Sequence, residues 1–264
     1  MTNRKLIAET VAVESLQPST RDAAFALFQQ TYSGAERARF DRDLAEKQLI
    51  ILLRDRSTRA LKGFSTVLLQ ELADAGGTVI YSGDTVIDRE YWGQKQLQSA
   101  FARILLLHKT RSPRRKLYWF LLSKGYRTYL LLANAFPRAV PRHDRMDDPF
   151  LRATLDALAR ARFGAQYDPG AGIVRYATPH ERVRAGLAPI TPQHLENRHV
   201  RFFAARNPGH AVGDELACLA EVRWRDLAGI AFRLGLAALR RQLARPDSGR
   251  SRLQSWETRP AEGR

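Results

Sequence analysis

Apolar and polar positions along this chain switch between two periods. Residues 5–14 (KLIAETVAVE) set Val11 and Val13 among polar neighbours at period two, which predicts a first strand. Two helices follow. Ser19-Thr20 caps one that runs through Phe25, Leu27 and Phe28, and after Ser33-Gly34 a second runs from about Ala35 to Lys47 with Phe40 and Leu44 on one face. Leu49–Arg54 is a continuous apolar run of the kind a central strand carries, closed by the polar turn Asp55-Arg56-Ser57-Thr58. Leu61–Leu72 supplies its neighbour, and an Asp-Ala-Gly-Gly turn at 74–77 leads into Thr78–Ile87, rich in Val, Ile, Tyr and Thr. From Gly93 the period changes to 3.6, with Leu97, Phe101, Ile104 and Leu105 on one helical face. Leu117–Leu122 is apolar at every position, as a strand covered on both faces should be, and Tyr126–Ala135 is a short helix stopped by Phe136-Pro137.

Beyond Asp147 the pattern changes. Phe150–Phe163 reads as a helix with Phe150, Leu151, Leu155, Leu158 and Ala159 inward, residues 164–192 are punctuated by Gly and Pro, and Leu195–Ala205 and Asp214–Leu243 read as further helices. Residues 245–264 hold too little apolar content to order the chain. The expected organisation is therefore an α+β domain over 1–145, a helical extension over 146–244 and a disordered tail over 245–264.

The stretch Thr78–Lys109 passes from strand through a tight turn into a helix. Unpaired N–H groups at such a helix N-terminus, together with the helix dipole, hold phosphate or pyrophosphate, so a phosphate-bearing donor is the first expectation. Composition narrows the rest. At 264 residues and 44% hydrophobic the chain can bury a sizeable core. A net charge of +16 points to anionic partners, but Lys supplies only seven of the 43 basic residues, and these are spread rather than striped, which weighs against nucleic acid. One cysteine, Cys218, excludes an internal disulfide and a metal-spaced Cys cluster, and reads as a core residue. The first residues mix charges throughout and no apolar run reaches membrane-spanning length, so the expected location is cytoplasmic. The segment 226–243, apolar over LAGIAFRLGLAAL and basic at Arg233, Arg240 and Arg241, suits packing on the first domain, with peripheral membrane contact as the competing use.

The element order, RDRSTRALKGFSTVLL and VIDREYWGQKQLQSAFAR resemble the GNAT superfamily of N-acyltransferases over about residues 5–140. That resemblance implies a mixed, mostly antiparallel sheet flanked by helices, in which the helix after the fourth strand binds a cofactor pyrophosphate and the fifth strand splays away. The family's Arg or Gln is Trp92 here, Gly93 remains, and its later glycines are replaced by residues of the Lys95–Gln98 stretch. Side-chain donors from Gln94, Lys95 and Gln96 then stand in for backbone approach. The implied co-substrate is acyl-CoA or an acyl-phosphopantetheine on an acyl carrier protein, as used by GNAT-fold N-acyl amino acid and acyl-homoserine lactone synthases. Carrier proteins are acidic, and a basic surface would speed encounter with one.

Acyl transfer to a small amine needs the amine deprotonated and the leaving thiolate protonated. The resemblance implies acceptors in the cleft between strands four and five, with Gly83 at a bulge and the backbone of Thr85, Val86 and Ile87 bonding the donor arm, next to Trp92 and Gly93. Asp84 is the favoured base, with Glu90 beside it, and Tyr126 or Tyr129 the position from which the thiolate is protonated. The bland readings are a solvated turn carboxylate for the acids and aromatic packing for the tyrosines. The large apolar residues over 117–132 suit either a core or an acyl tunnel. His194 and His199, five apart, fall on different helix faces and do not read as a metal pair. The alternative to an enzyme is a GNAT-shaped binding module, without catalysis, for an acidic protein or nucleic acid.

Overall fold

A computed structural model describes residues 4–72, 76–176, 182–183 and 190–243, the last eight as backbone only. Strand β1 (Leu6–Ala12) leads to helices α1 (Pro18–Thr31) and α2 (Arg37–Ala45), and then to strands β2 (Leu49–Asp55), β3 (Leu61–Leu72) and β4 (Gly77–Ile87). Helix α3 (Gln96–Arg111), strand β5 (Lys116–Ser123) and helix α4 (Tyr126–Ala135) follow, then α5 (Pro149–Phe163), α6 (Arg198–Arg206), β6 (Glu215–Glu221) and α7 (Trp224–Leu243). The strands pair in the order β1-β2-β3-β4-β5-β6, with the short pairs Ile173–Val174 and Tyr167–Asp168 beyond β6. Every pairing on this path is antiparallel except β4 with β5, so the α+β, mostly antiparallel sheet expected from the sequence is the one found.

Leu132 and Ala133 from α4, Phe136 just beyond its end, Leu97 and Phe101 from α3, and Leu121 and Cys218 from the central strands meet in one buried layer on one side of the sheet. On the other side, α5 contributes Leu151, Leu155 and Ala159 to a cluster with Tyr118, Phe120, Ala217 and Leu219, while α1 and α2 cover β2 and β3 with Phe28, Phe40 and Leu44. Alternating residues of β5 therefore enter both layers, which explains its unbroken apolar run. Cys218 is fully buried, and burial pushes its thiol up.

Two expectations are corrected. The stretch read as one helix from Asp214 begins as strand β6, antiparallel to β5 from Leu216↔Ser123 to Glu221↔Tyr118. Its apolar residues sit in a run too short for periodicity to separate strand from helix. Phe150 points outward, 45% exposed, with the Lys116 ammonium over its ring, because as the second residue of α5 it precedes the turn that meets the sheet. The turn at 74–75, His180 and the tail at 245–264 lie outside the described residues.

Candidate active site

The sheet opens where β4 and β5 part. Their parallel pairing runs from Gly77↔Lys116 to Ser82↔Leu121 and stops, although β4 continues to Ile87. At the same point the β3–β4 register shifts between Ser65↔Thr85 and Val67↔Ser82, leaving Gly83 and Asp84 opposite Thr66 alone. This is a β-bulge, and it turns the strand away from its neighbour. A side chain at position 83 would come within 2.4 Å of Thr66 Oγ1, so the bulge packs closely enough to require glycine. Past the bulge, Asp88 donates its N–H to Lys62 O, which by antiparallel alternation directs the backbone groups of Thr85 and Ile87 into the gap. Trp92 Nε1 already donates to Ile87 O at 2.9 Å. The Thr85 pair and the Ile87 N–H remain along the open edge.

A cavity of about 1470 Å³ fills this gap and runs through the sheet. One end lies against the start of α3. Gly93 has φ +85°, a left-handed turn that favours glycine, and nothing lies within 4 Å of where a Cβ would stand. Lys95 is the N-cap residue and makes no capping bond with its side chain, and no acidic residue occupies the first turn. The N–H groups of Gln96, Leu97 and Gln98 thus lack intrahelical acceptors at the positive end of the dipole. The Arg127 guanidinium sits 4.6 Å from the centre of the Trp92 ring and adds positive charge beside them. Gln94 is spent elsewhere: its Oε1 accepts from Leu6 N and its Nε2 donates to Arg4 O, clamping the beginning of β1. Gln96 Oε1 is buried without a hydrogen-bond partner among the described residues.

The other end is lined with charge. Lys124 pairs with Glu215 at 3.2 Å, and Tyr176 donates to the same carboxylate at 2.7 Å. Arg162 pairs with Glu46 and lies over the Tyr81 ring. Lys47 Nζ donates to Asp43 O, and burial together with the nearby Arg162 lowers its ammonium. Asp84 lies among these groups, yet no ion pair or side-chain hydrogen bond holds it among the described residues. Loss of solvent raises its carboxyl above the usual carboxylate range, against the pull of Lys124 and Lys47.

Of the four candidate acid–base residues, the cleft receives two. Asp84 and Tyr126 line it, as do Thr85, Val86, Ile87 and the Trp92–Lys95 stretch, whereas Gln96, expected there as a side-chain donor, is not part of its wall. Glu90 is instead on the surface, half exposed and paired with Arg4 at 2.9 Å, because the short helical turn Arg89–Tyr91 rolls it away from the gap. Tyr129 is fully buried behind the cleft, one turn along α4, donating to Pro141 O and packed against Phe203. Of the apolar residues over 117–132, Leu117–Leu121 are core, whereas Leu122, Leu130 and Leu131 reach the cavity. Ile230 and Leu234 of α7 line it as well. Lys47, Lys124, Arg162 and Glu215 are site residues that the sequence left unmarked, since each is a single charge at the edge of an element. Among the described residues no helix is long and apolar enough to cross a membrane, and no group of His, Cys, Asp or Glu is placed to hold a metal ion.

No protein-family model matches the sequence, and no curated protein does. Among solved structures, a GNAT family N-acetyltransferase from Escherichia coli in complex with CoA is 14% identical over 50% of this chain and 71% of its own, with a TM-score of 0.37. An acetyltransferase from Trypanosoma brucei is 20% identical over 55% of this chain and 100% of its own, at 0.35. An N-acyl amino acid synthase from uncultured soil microbes is 12% identical over 51% of this chain and 79% of its own, at 0.36. At these scores the likenesses bear no weight by themselves.

Proposed function

We propose that this chain, whose sheet and helices fit the GNAT fold in element order and in the parting of the fourth and fifth strands, transfers an acyl group from a phosphopantetheine thioester to an amine. The observation that carries the reading is the open gap between β4 and β5, with a helix N-terminus that no side chain caps at one end and, at the other, a partly buried carboxylate that makes no ion pair among the described residues. The donor arm lies along Thr85–Ile87 as an added strand would, its phosphate against α3, Lys95 and Arg127. The amine arrives as an ammonium and gives a proton to Asp84. Its nitrogen then attacks the thioester carbonyl, the C–N bond forms, the C–S bond breaks, and the thiolate takes a proton from Tyr126. The newly acylated nitrogen sheds its second proton to water, which passes one on to the Tyr126 phenolate, and solvent removes the one on Asp84.

The donor is acyl-CoA or an acyl carrier protein. The net charge of +16 favours the acidic carrier, as does an α3 turn lacking the close-approach glycines. The leucines that reach the cavity suit an acyl chain, and Leu158, Arg162, Glu215 and Ile230 bring the second half of the chain to its wall. The test is a thermal shift with acetyl-CoA, a long-chain acyl-CoA and an acylated carrier protein, followed by thiol release in the presence of an amine panel. A raised midpoint with at least one thioester is expected, since a ligand at 100 times its Kd contributes about 2.7 kcal/mol. No shift with any of the three, combined with salt-sensitive retention on DNA, would replace the transferase with a binding module.

A further inference from the structure

The segment at 191–195 reaches back to the cleft. Thr191 caps a single turn, Pro192–Leu195, in a reciprocal capping box with His194. Within it the Thr191 backbone N–H donates to His194 Nδ1 at 3.1 Å. A nitrogen that accepts from an N–H carries no proton, so the neutral ring bears its hydrogen on Nε2. That Nε2 lies 3.1 Å from Tyr126 Oη, with the two rings 5.0 Å apart, and both residues line the cavity.

We infer that His194 is a positioning residue for acyl transfer: its Nε2–H donates to the Tyr126 oxygen, turns the phenol proton toward the cleft, and stabilises the phenolate left when that proton goes to the departing thiolate. Tyr126 breaks its O–H bond, the thiolate gains S–H, and the negative charge stays on an oxygen that already accepts a hydrogen bond. Water then reprotonates the phenolate, and His194 keeps its own proton throughout. The inference rests on the acyl-transfer reading.

Two measurements on the full chain separate this inference from that reading. Nitrogen NMR of the histidine rings should place the hydrogen of His194 on Nε2, with its exchange with water accelerated in Tyr126→Phe. A ring protonated on Nδ1, or an exchange rate blind to Tyr126, would overturn the link whether or not any substrate is known. The second measurement is thiol release from a long-chain acyl-CoA with the amine that the unaltered chain uses best. His194→Ala should lower kcat about 10-fold with the donor KM unchanged, a part of the roughly 100-fold or more that the positioned acid itself contributes. His194→Gln, whose amide N–H takes the place of Nε2–H, should keep most of the rate. Tyr126→Phe combined with His194→Ala should be no slower than Tyr126→Phe alone, because both changes remove one function. Losses that multiply, or an unchanged kcat in His194→Ala, would reduce His194 to packing. If the unaltered chain turns over no donor with any amine, the catalytic role falls together with the transferase reading, while the ring measurement still decides the hydrogen bond.

Discussion

Replacing Asp84 by Asn changes one oxygen to nitrogen, preserves shape, and separates the two consequences of burying a carboxylate in the cleft. The first concerns rate. An amide has no basic site for the ammonium proton, so turnover should fall by about 100-fold or more, the lower end of what a positioned base supplies. At about 1.4 kcal/mol per tenfold this is roughly 2.7 kcal/mol of the barrier. Donor affinity should hold, because the thioester arm lies on Thr85–Ile87 and α3 rather than on the bulge. The second concerns stability. The folded state raises the Asp84 carboxyl by desolvation, so its contribution is fully present below the unfolded carboxylate range, near pH 4, and is lost as pH rises through the folded value. Asn does not titrate. The variant should therefore melt higher than the unaltered protein at pH 7, with the difference shrinking toward pH 4. Thiol release and melting curves at several pH values measure both. A variant that keeps its turnover removes Asp84 from the mechanism, and one that melts lower at pH 7 contradicts the account of an unpaired, desolvated carboxylate.

Gly63→Ala would set a methyl 2.7 Å from Val86 O and 3.1 Å from Ile87 Cα, pushing β4 off β3 beside the open edge. The expected cost is about 1–3 kcal/mol, read as a lowered melting midpoint, with weaker donor binding in the same sample. Asp55 accepts from Ser57, Thr58 and Tyr91, and these bonds hold its carboxyl well below the usual range. Its contribution is present above about pH 4 and lost as pH falls through the folded value, so Asp55→Asn should melt lower at pH 7 and converge with the parent in strong acid. Cys218, fully buried with a raised thiol, should titrate with an aromatic disulfide reagent only after unfolding, which leaves the thiol-release assay without background. If a carrier protein is the donor, its KM should rise steeply with ionic strength while that of acyl-CoA moves less.

The first 140 residues were readable because their periods are long and their breaks chemical. Val79 and Ile80, buried on opposite faces of β4, declare a strand covered on both sides, and the spacing Leu97, Phe101, Ile104, Leu105 declares the helix after it. Gly83 was legible as a bulge since it interrupts a strand with the one residue that tolerates close packing, and the Thr66 hydroxyl supplies the reason. What stayed hidden follows from contacts distant in sequence. β6 is seven residues long and buried at six of them, and only its pairing with β5 decides strand over helix. Glu90 and Asp84 look alike as letters beside one strand end. The turn Arg89–Tyr91 between them and α3 turns one into solvent toward Arg4, while the bulge turns the other inward, among charges drawn from the turns after α2 and β5, from α5 and from β6. Tyr126 and Tyr129, three apart on α4, divide in the same way: one turn of helix carries the first to the cavity wall and the second into the packing behind it. Local pattern thus locates the gap in the sheet, and the residues that line it come from segments more than 30 positions away, with Lys47 arriving from the turn after α2, Glu215 from β6 and His194 from the turn before α6. At the opposite end, beside the α3 turn, the charge also comes from another element: Arg127 of α4 reaches over the Trp92 ring.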